Sequence, residues 1–240
     1  MADVLVLCYH AVSDRWESPL AVTRAQLARQ LAFLVRRGYR GATFEQAATA
    51  SPAARTLAVT FDDGYRSVLT HARPILDRLG LPGTVFAPTD FVGRDEPMSW
   101  PGIDHWVGGP HADELVPMTW EQLIALRDGG WEIGSHTCSH PRLSRLDDAA
   151  VKHELLDSRR TCEARLGACR TLALPYGDGN ARVLAIAEEV GYRAVAGLPG
   201  ADAAEPAGWP RVGVYPVDNL ARFTVKVARP VRRLRRALGG

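Results

Sequence analysis

The stretch "AVTFDDGYRS", Ala58–Ser67, ends an apolar run in two adjacent acids and then a glycine. Along a regular strand, successive side chains leave opposite faces, so Asp62 and Asp63 are expected to diverge. A plain turn, a metal site and half of an acid–base machine all fit this local pattern. The residues alone leave the three open. What the run does establish is a buried strand whose chemistry sits at its carboxyl end.

Outward from this strand, short β-like runs alternate with longer helical ones. "VLVLCY" (4–9), "TLAVTF" (56–61), "GTVFAPT" (83–89), "WEIGSH" (131–136) and "TLALPYG" (171–177) read as strands, followed by "YRAVAGL" and "RVGVYPV". Helices are expected over 23–38, 68–79, 119–130, 144–166 and 180–191. Thr23 with Gln26 and Thr119 with Gln122 form capping boxes, Asn180 is a cap, and Leu27, Leu31 and Leu34 line one face. Residues 90–118 carry Gly, Pro and Trp without periodicity and read as a long loop over one end. Strand–helix repetition implies a parallel sheet with helices outside, as a closed (β/α) barrel or an open doubly wound sheet. No GxGxxG follows the first strand and no GxxxxGK[ST] occurs, which counts against nucleotide binding.

The 240 residues are 46% hydrophobic and 23% charged, ordinary for a globular chain with a sizeable core. A net charge of +2 makes no case for nucleic acid. The charge is uneven, because "VKVARPVRRLRRALGG" is basic and holds no acid. It is expected to be either a solvated end or a segment resting on an anionic membrane or an acidic polymer, with Leu234 and Leu238 on one side. Cys8, Cys138, Cys162 and Cys169 show no CxxC spacing, so reduced thiols are expected. With no signal-peptide pattern at its start, the chain is expected to be cytoplasmic, peripheral at the inner membrane face if the tail binds there.

In parallel α/β folds, functional side chains gather where strands end and loops begin. Four such ends here carry unusual residues: His10, Asp62 with Asp63, His136 with His140, and Pro175 with Tyr176. If a helical first turn or a tight loop follows Gly134, the histidines four apart in "GSHTCSH" can face one ion, and two imidazoles plus one carboxylate is the catalytic zinc pattern, open to water; alternatively the pair caps a turn and hydrogen-bonds locally. If Asp62 and Asp63 diverge, one ligates the ion and the other stays free to take a proton from the water it activates. Gly64 lets the backbone turn behind them. His71 and His153 read as surface residues. Trp100, Asp104, His105 and Trp106 sit in the irregular loop, where the aromatics read equally as sugar-stacking or loop-packing side chains.

"TFDDGY", then "GSHTCSHPRL", then "LALPYG", in this order, resembles the polysaccharide deacetylases with the NodB homology domain (carbohydrate esterase family 4). The branch opening with Tyr-His matches "CYHAVSD". The resemblance implies a distorted (β/α)7 barrel over residues 1–228, followed by a basic tail, 229–240. It also implies removal of an acetyl group from an N-acetylated sugar or glycan. By that resemblance, Asp63, His136 and His140 hold one divalent metal ion, zinc first, with cobalt or nickel as alternatives. Asp62 is the general base, and the backbone N–H of Tyr176 helps hold the oxyanion. Two positions depart from the family pattern. Ala173 stands where many members have the arginine that orients the base, and Arg211 is the replacement. No histidine follows His153 to act as acid, so His10 takes that role. A small-amide, allantoinase-like hydrolase and a carbohydrate-binding pseudoenzyme that keeps the ion are the alternative readings.

Overall fold

The computed structural model describes residues 3–51, 55–198 and 208–237. Its strands are β1 (Asp3–Tyr9), β2 (Ala11–Val12), β3 (Ala21–Val22), β4 (Arg40–Ala42), β5 (Arg55–Phe61), β6 (Gly83–Ala87), β7 (Glu132–Ser135), β8 (Thr171–Ala173), β9 (Ala194–Gly197), β10 (Trp209–Pro210) and β11 (Val212–Gly213). Its α-helices are α1 (Arg24–Arg36), α2 (Phe44–Thr49), α3 (Arg73–Leu79), α4 (Trp120–Asp128), α5 (Asp148–Leu166), α6 (Ala181–Glu189), α7 (Leu220–Val227) and α8 (Arg229–Ala237).

The main sheet runs β10-β9-β8-β7-β6-β5-β1-β11, with β4 beside β5. Its two outer members are successive pieces of one segment. Trp209 and Pro210 pair with β9, Val212 and Gly213 pair with β1, and every pairing is parallel. One segment therefore joins the two edges and closes the ring. Six strands (β1, β5, β6, β7, β8, β9) plus this split one make the seven staves of a distorted barrel, which removes the exposed edges an open sheet would leave. A closed parallel sheet is buried on both faces, and the strand interiors accordingly read as continuous apolar runs. Leu5, Leu7, Leu57, Val59, Val85 and Leu172 are buried in one core.

The helices form where capping and periodicity agree. Thr23 and Gln26 complete a capping box on α1, which buries Leu27, Leu31 and Leu34, and Thr119 and Gln122 do the same for α4. A third box, Thr43 with Gln46, starts α2. Sequence reading passes over that helix because its six residues are too few to show a 3.6-residue period. The expected helix over 144–166 starts late: Asp147 accepts from the Ala150 N–H and caps α5, while Leu143–Arg145 is a separate 3-10 turn. In the expected helix over 68–79, a π turn (Val68–Ala72) precedes α3, whose first turn carries Pro74. The strand expected over 171–177 stops at Ala173, and Pro175–Gly177 turns as a 3-10 segment.

The basic segment is helical through α8, with Leu238 outside the described residues. Arg232 is buried there. It donates to Asp3 Oδ1 at 2.6 Å and to the Val4 carbonyl at 3.0 Å, tying α8 to the amino end of β1. Leu234 is 60% exposed. Among the described residues, no helix is long and apolar enough to cross a membrane.

Candidate active site

The carboxyl ends of β1, β5, β7 and β8 meet at one mouth of the barrel. Register places Tyr9 of β1 opposite Phe61 of β5, and the Asp62 N–H donates to the Tyr9 carbonyl. Strand β5 ends at Phe61, so both acids lie beyond it and regular alternation no longer sets their directions. Asp62 shares the Arg211 guanidinium with Thr60, whereas Asp63 takes a left-handed backbone (φ 70°) and its carboxylate meets His136 and His140. Gly64 is also left-handed (φ 68°), and a Cβ there would press on Ala87 at 3.3 Å. A side chain at Gly64 would therefore meet both a conformational and a steric penalty.

Asp63 Oδ1 lies 3.3 Å from His136 Nε2 and 3.3 Å from His140 Nε2, and all three residues are buried. His136 is held by Ala173, whose carbonyl is 2.8 Å from Nδ1. A carbonyl only accepts, so Nδ1 carries the proton and neutral His136 turns the lone pair of Nε2 toward Asp63. Two acceptors then face each other, a contact that needs a cation between them. A proton can serve: burial pushes His136 down, but the bond to Asp63 and the nearby Asp62 charge outweigh it and raise the imidazole above its ordinary value. A divalent ion serves equally, and two imidazole nitrogens with one carboxylate oxygen suit zinc with an open position. Burial pushes Asp63 up, yet hydrogen bonds from both histidines hold its carboxyl well below the usual range. His140 is moved the other way, lowered chiefly by burial.

His140 is not on a helical turn after Gly134; it ends a tight loop. Thr137 (φ 69°) and His140 (φ 64°) are both left-handed, and the His140 N–H donates to Thr137 Oγ1 at 3.0 Å. Together with Asp63 and Tyr176 (φ 59°), these are the only non-glycine residues of positive φ among the described residues. Such backbone costs on the order of 1–3 kcal/mol per residue and persists where the surroundings over-determine it. All four sit at this mouth.

Asp62 is bound by Arg211. Nη1 reaches Oδ1 at 2.6 Å and Nη2 reaches Oδ2 at 2.8 Å, a bidentate pair with side-chain exposures of 0% and 4%. The guanidinium also donates to the Gly197 carbonyl and to Thr60 Oγ1. Arg211 stands between β10 and β11, so the segment that closes the barrel also delivers it to the end of β5. Burial pushes the Asp62 carboxyl up, but the Arg211 charge offsets this and keeps it below its ordinary value. Asp62 is thus an ionised acceptor throughout the neutral range.

His10 extends β1 beside Asp62, with its Nδ1 buried and unbonded. Donor atoms of Cys8, His10 and Asp62 lie within 4.8 Å of one another, and the Cys8 thiol donates to Asp62 Oδ2 at 3.4 Å. Cys8 was passed over in the sequence, although its place two residues before His10 on one strand puts both on the same face. The Tyr176 ring lies 4.7 Å from His140, its hydroxyl donates to the Pro101 carbonyl, and the Arg142 guanidinium lies 4.4 Å from its ring centre. A Cβ on the next residue, Gly177, would fall 2.1 Å from the Leu198 carbonyl oxygen. From the irregular loop, Trp100 stacks on His140 at 4.1 Å and 23°. Asp104 and His105 are exposed, and Trp106 packs on Trp16.

Three histidines, two aspartates and a buried arginine thus gather at the carboxyl ends of strands in a parallel (β/α) barrel. The polysaccharide deacetylase family model matches residues 49–195, and the chain belongs to that family. It is 27% identical over 198 residues to YxkH of Bacillus subtilis, a protein assigned to the polysaccharide deacetylases, covering 80% of this chain and 63% of that protein. It is also 27% identical over 182 residues to a chitooligosaccharide deacetylase of a Bradyrhizobium strain, covering 73% of this chain and 67% of the relative. In fold it is similar to the Streptococcus pyogenes deacetylase PplD, with a TM-score of 0.76 and 19% identity, covering 94% of this chain and 98% of the other.

Proposed function

We propose that this chain is a metal-dependent deacetylase that removes the N-acetyl group from a sugar or glycan by attack of activated water. The observation that carries the reading is the contact of two imidazole Nε2 atoms with one buried carboxylate oxygen, beside a second carboxylate held by arginine. A divalent ion held by Asp63, His136 and His140, zinc first, would lower the pKa of water and polarise the acetyl carbonyl. Asp62, kept ionised and fixed in direction by Arg211, takes the proton of the attacking water. Negative charge then builds on the former carbonyl oxygen, and the Tyr176 backbone N–H is assigned to bear part of it. His10 gives a proton to the departing amine. Free acetate and a sugar amine are the products. The basic segment 229–240 is proposed as a contact for anionic membrane, with Leu234 as its exposed apolar member.

The test uses the full chain with zinc on an acetylated chitooligosaccharide, reading acetate release and bound metal together. Asp63→Asn should lose both metal and activity. Asp62→Asn should keep the metal while activity falls at least about a hundredfold, the usual weight of a general base. Metal retained by Asp63→Asn would refute the ligand set. A wild type that binds zinc but releases no acetate from any acetylated sugar, or that cleaves ureides instead, would refute the deacetylase reading.

A further inference from the structure

The loop that carries His140 is held on one side by the Thr89 and Asp90 N–H groups, which donate to the Thr137 and Cys138 carbonyls, and on the other by a helix. Between left-handed Thr137 and left-handed His140, the N–H groups of Cys138 and Ser139 point the same way, out of the loop and into the protein. Two converging N–H groups make an anion cradle. Here the anion comes from the chain itself, in the second turn of α5. Glu154 Oε2 accepts from the Cys138 N–H at 2.8 Å and from the Ser139 N–H at 3.0 Å, while Oε1 accepts from the Ser139 hydroxyl at 2.6 Å. The Cys138 thiol adds a contact to the Glu154 carbonyl at 3.5 Å. Glu154 is 9% exposed, and no lysine, arginine or histidine pairs with it among the described residues. A buried carboxylate without a cation is costly unless hydrogen bonds satisfy it, and this one is satisfied only by the ligand loop.

We infer that Glu154 is a positioning residue for the metal centre, acting through His140. It holds the backbone on which His140 reaches the Asp63 oxygen, 3.3 Å away. His136 needs no such clamp, because it follows directly from β7 and is aligned by the Ala173 carbonyl. The two imidazoles are thus supported by different means, one by the sheet and one by α5. His140 has no partner for its own buried Nδ1, so its aim rests on backbone placement and on the Trp100 and Tyr176 rings packed against it. Partners that orient a ligand typically alter metal affinity about 10–100-fold when removed.

This inference rests on the proposed metal centre, and the experiment separates the two. Zinc affinity of the full chain is measured by chelator competition for wild type, Glu154→Ala, Glu154→Gln and Ser139→Ala, alongside thermal unfolding of the zinc-free proteins. Glu154→Ala should weaken zinc binding at least about tenfold. Glu154→Gln keeps an acceptor for both N–H groups, and the Ser139 hydroxyl can turn to accept from its amide, so it should stay within a few-fold of wild type. Ser139→Ala, losing one bond of three, should fall between them. Glu154→Met, which keeps bulk and helix propensity without an acceptor, replaces the alanine variant if that one does not fold. Wild-type affinity in Glu154→Ala or Glu154→Met overturns the inference. So does failure of both to fold, which would make Glu154 a requirement of the barrel. Absence of zinc binding by wild type would instead refute the metal centre itself.

Discussion

Removing Arg211 is expected to reverse the pH dependence contributed by Asp62. In the wild type, burial pushes that carboxyl up, and the two guanidinium bonds at 2.6 and 2.8 Å more than offset it, leaving the folded value lowered. A lowered carboxylate contributes stability above its unfolded value, about 4, and loses that contribution as pH falls through the folded value. In Arg211→Ala the burial persists while the strongest opposing charge is gone, so the folded value should rise above the unfolded one. The sign then changes: stability is lost as pH climbs from about 4. Breaking a buried pair from one side costs about 3–5 kcal/mol. At about 2–4 °C per kcal/mol for a domain of this size, neutral-pH melting should drop by roughly 6–20 °C. The assay is urea unfolding of both proteins between pH 4 and 8. The deficit of the variant should be smallest at the acid end and grow toward neutrality, and adding Asp62→Asn should abolish that growth. A deficit below about 1 kcal/mol, or one equally large at every pH, would refute the reasoning. Arg211→Lys restores charge without the planar fork and should recover activity only in part.

Further outcomes follow from the same geometry. His10→Ala should lower deacetylation at least about a hundredfold with metal occupancy intact, read by turnover and metal content on one sample; an unchanged rate would dismiss it as the acid. Trp100→Ala removes the stack on His140 and should weaken zinc binding in chelator competition more than Trp106→Ala, which touches none of the three ligands; equal effects would reduce Trp100 to a packing residue. Removing residues 230–240 should lower binding to anionic vesicles, and equal binding by the shortened chain would end the membrane proposal. The same truncation deletes the Arg232–Asp3 pair, so unfolding should begin at lower urea even if vesicle binding stands.

Short-range rules were enough to read much of this chain. The apolar run of β5 marked where Asp62 and Asp63 would stand, the capping boxes of α1 and α4 announced their starts, and the order of "TFDDGY", "GSHTCSH" and "LALPYG" placed unusual residues at the ends of β5, β7 and β8. Such features are local, since each depends on neighbours within about one turn or one strand. Tertiary structure decided the rest. Whether the sheet closes depends on a segment with two residues on β9 and two on β1, pairings that no local periodicity encodes. The grip of Arg211 on Asp62 spans 149 positions, and that of Glu154 on Cys138 spans 16. The left-handed turns at Asp63, Thr137, His140 and Tyr176 are against the intrinsic preference of all four residues, so only packing could impose them. Sequence chose the chemical groups; closure of the barrel set the directions in which they point.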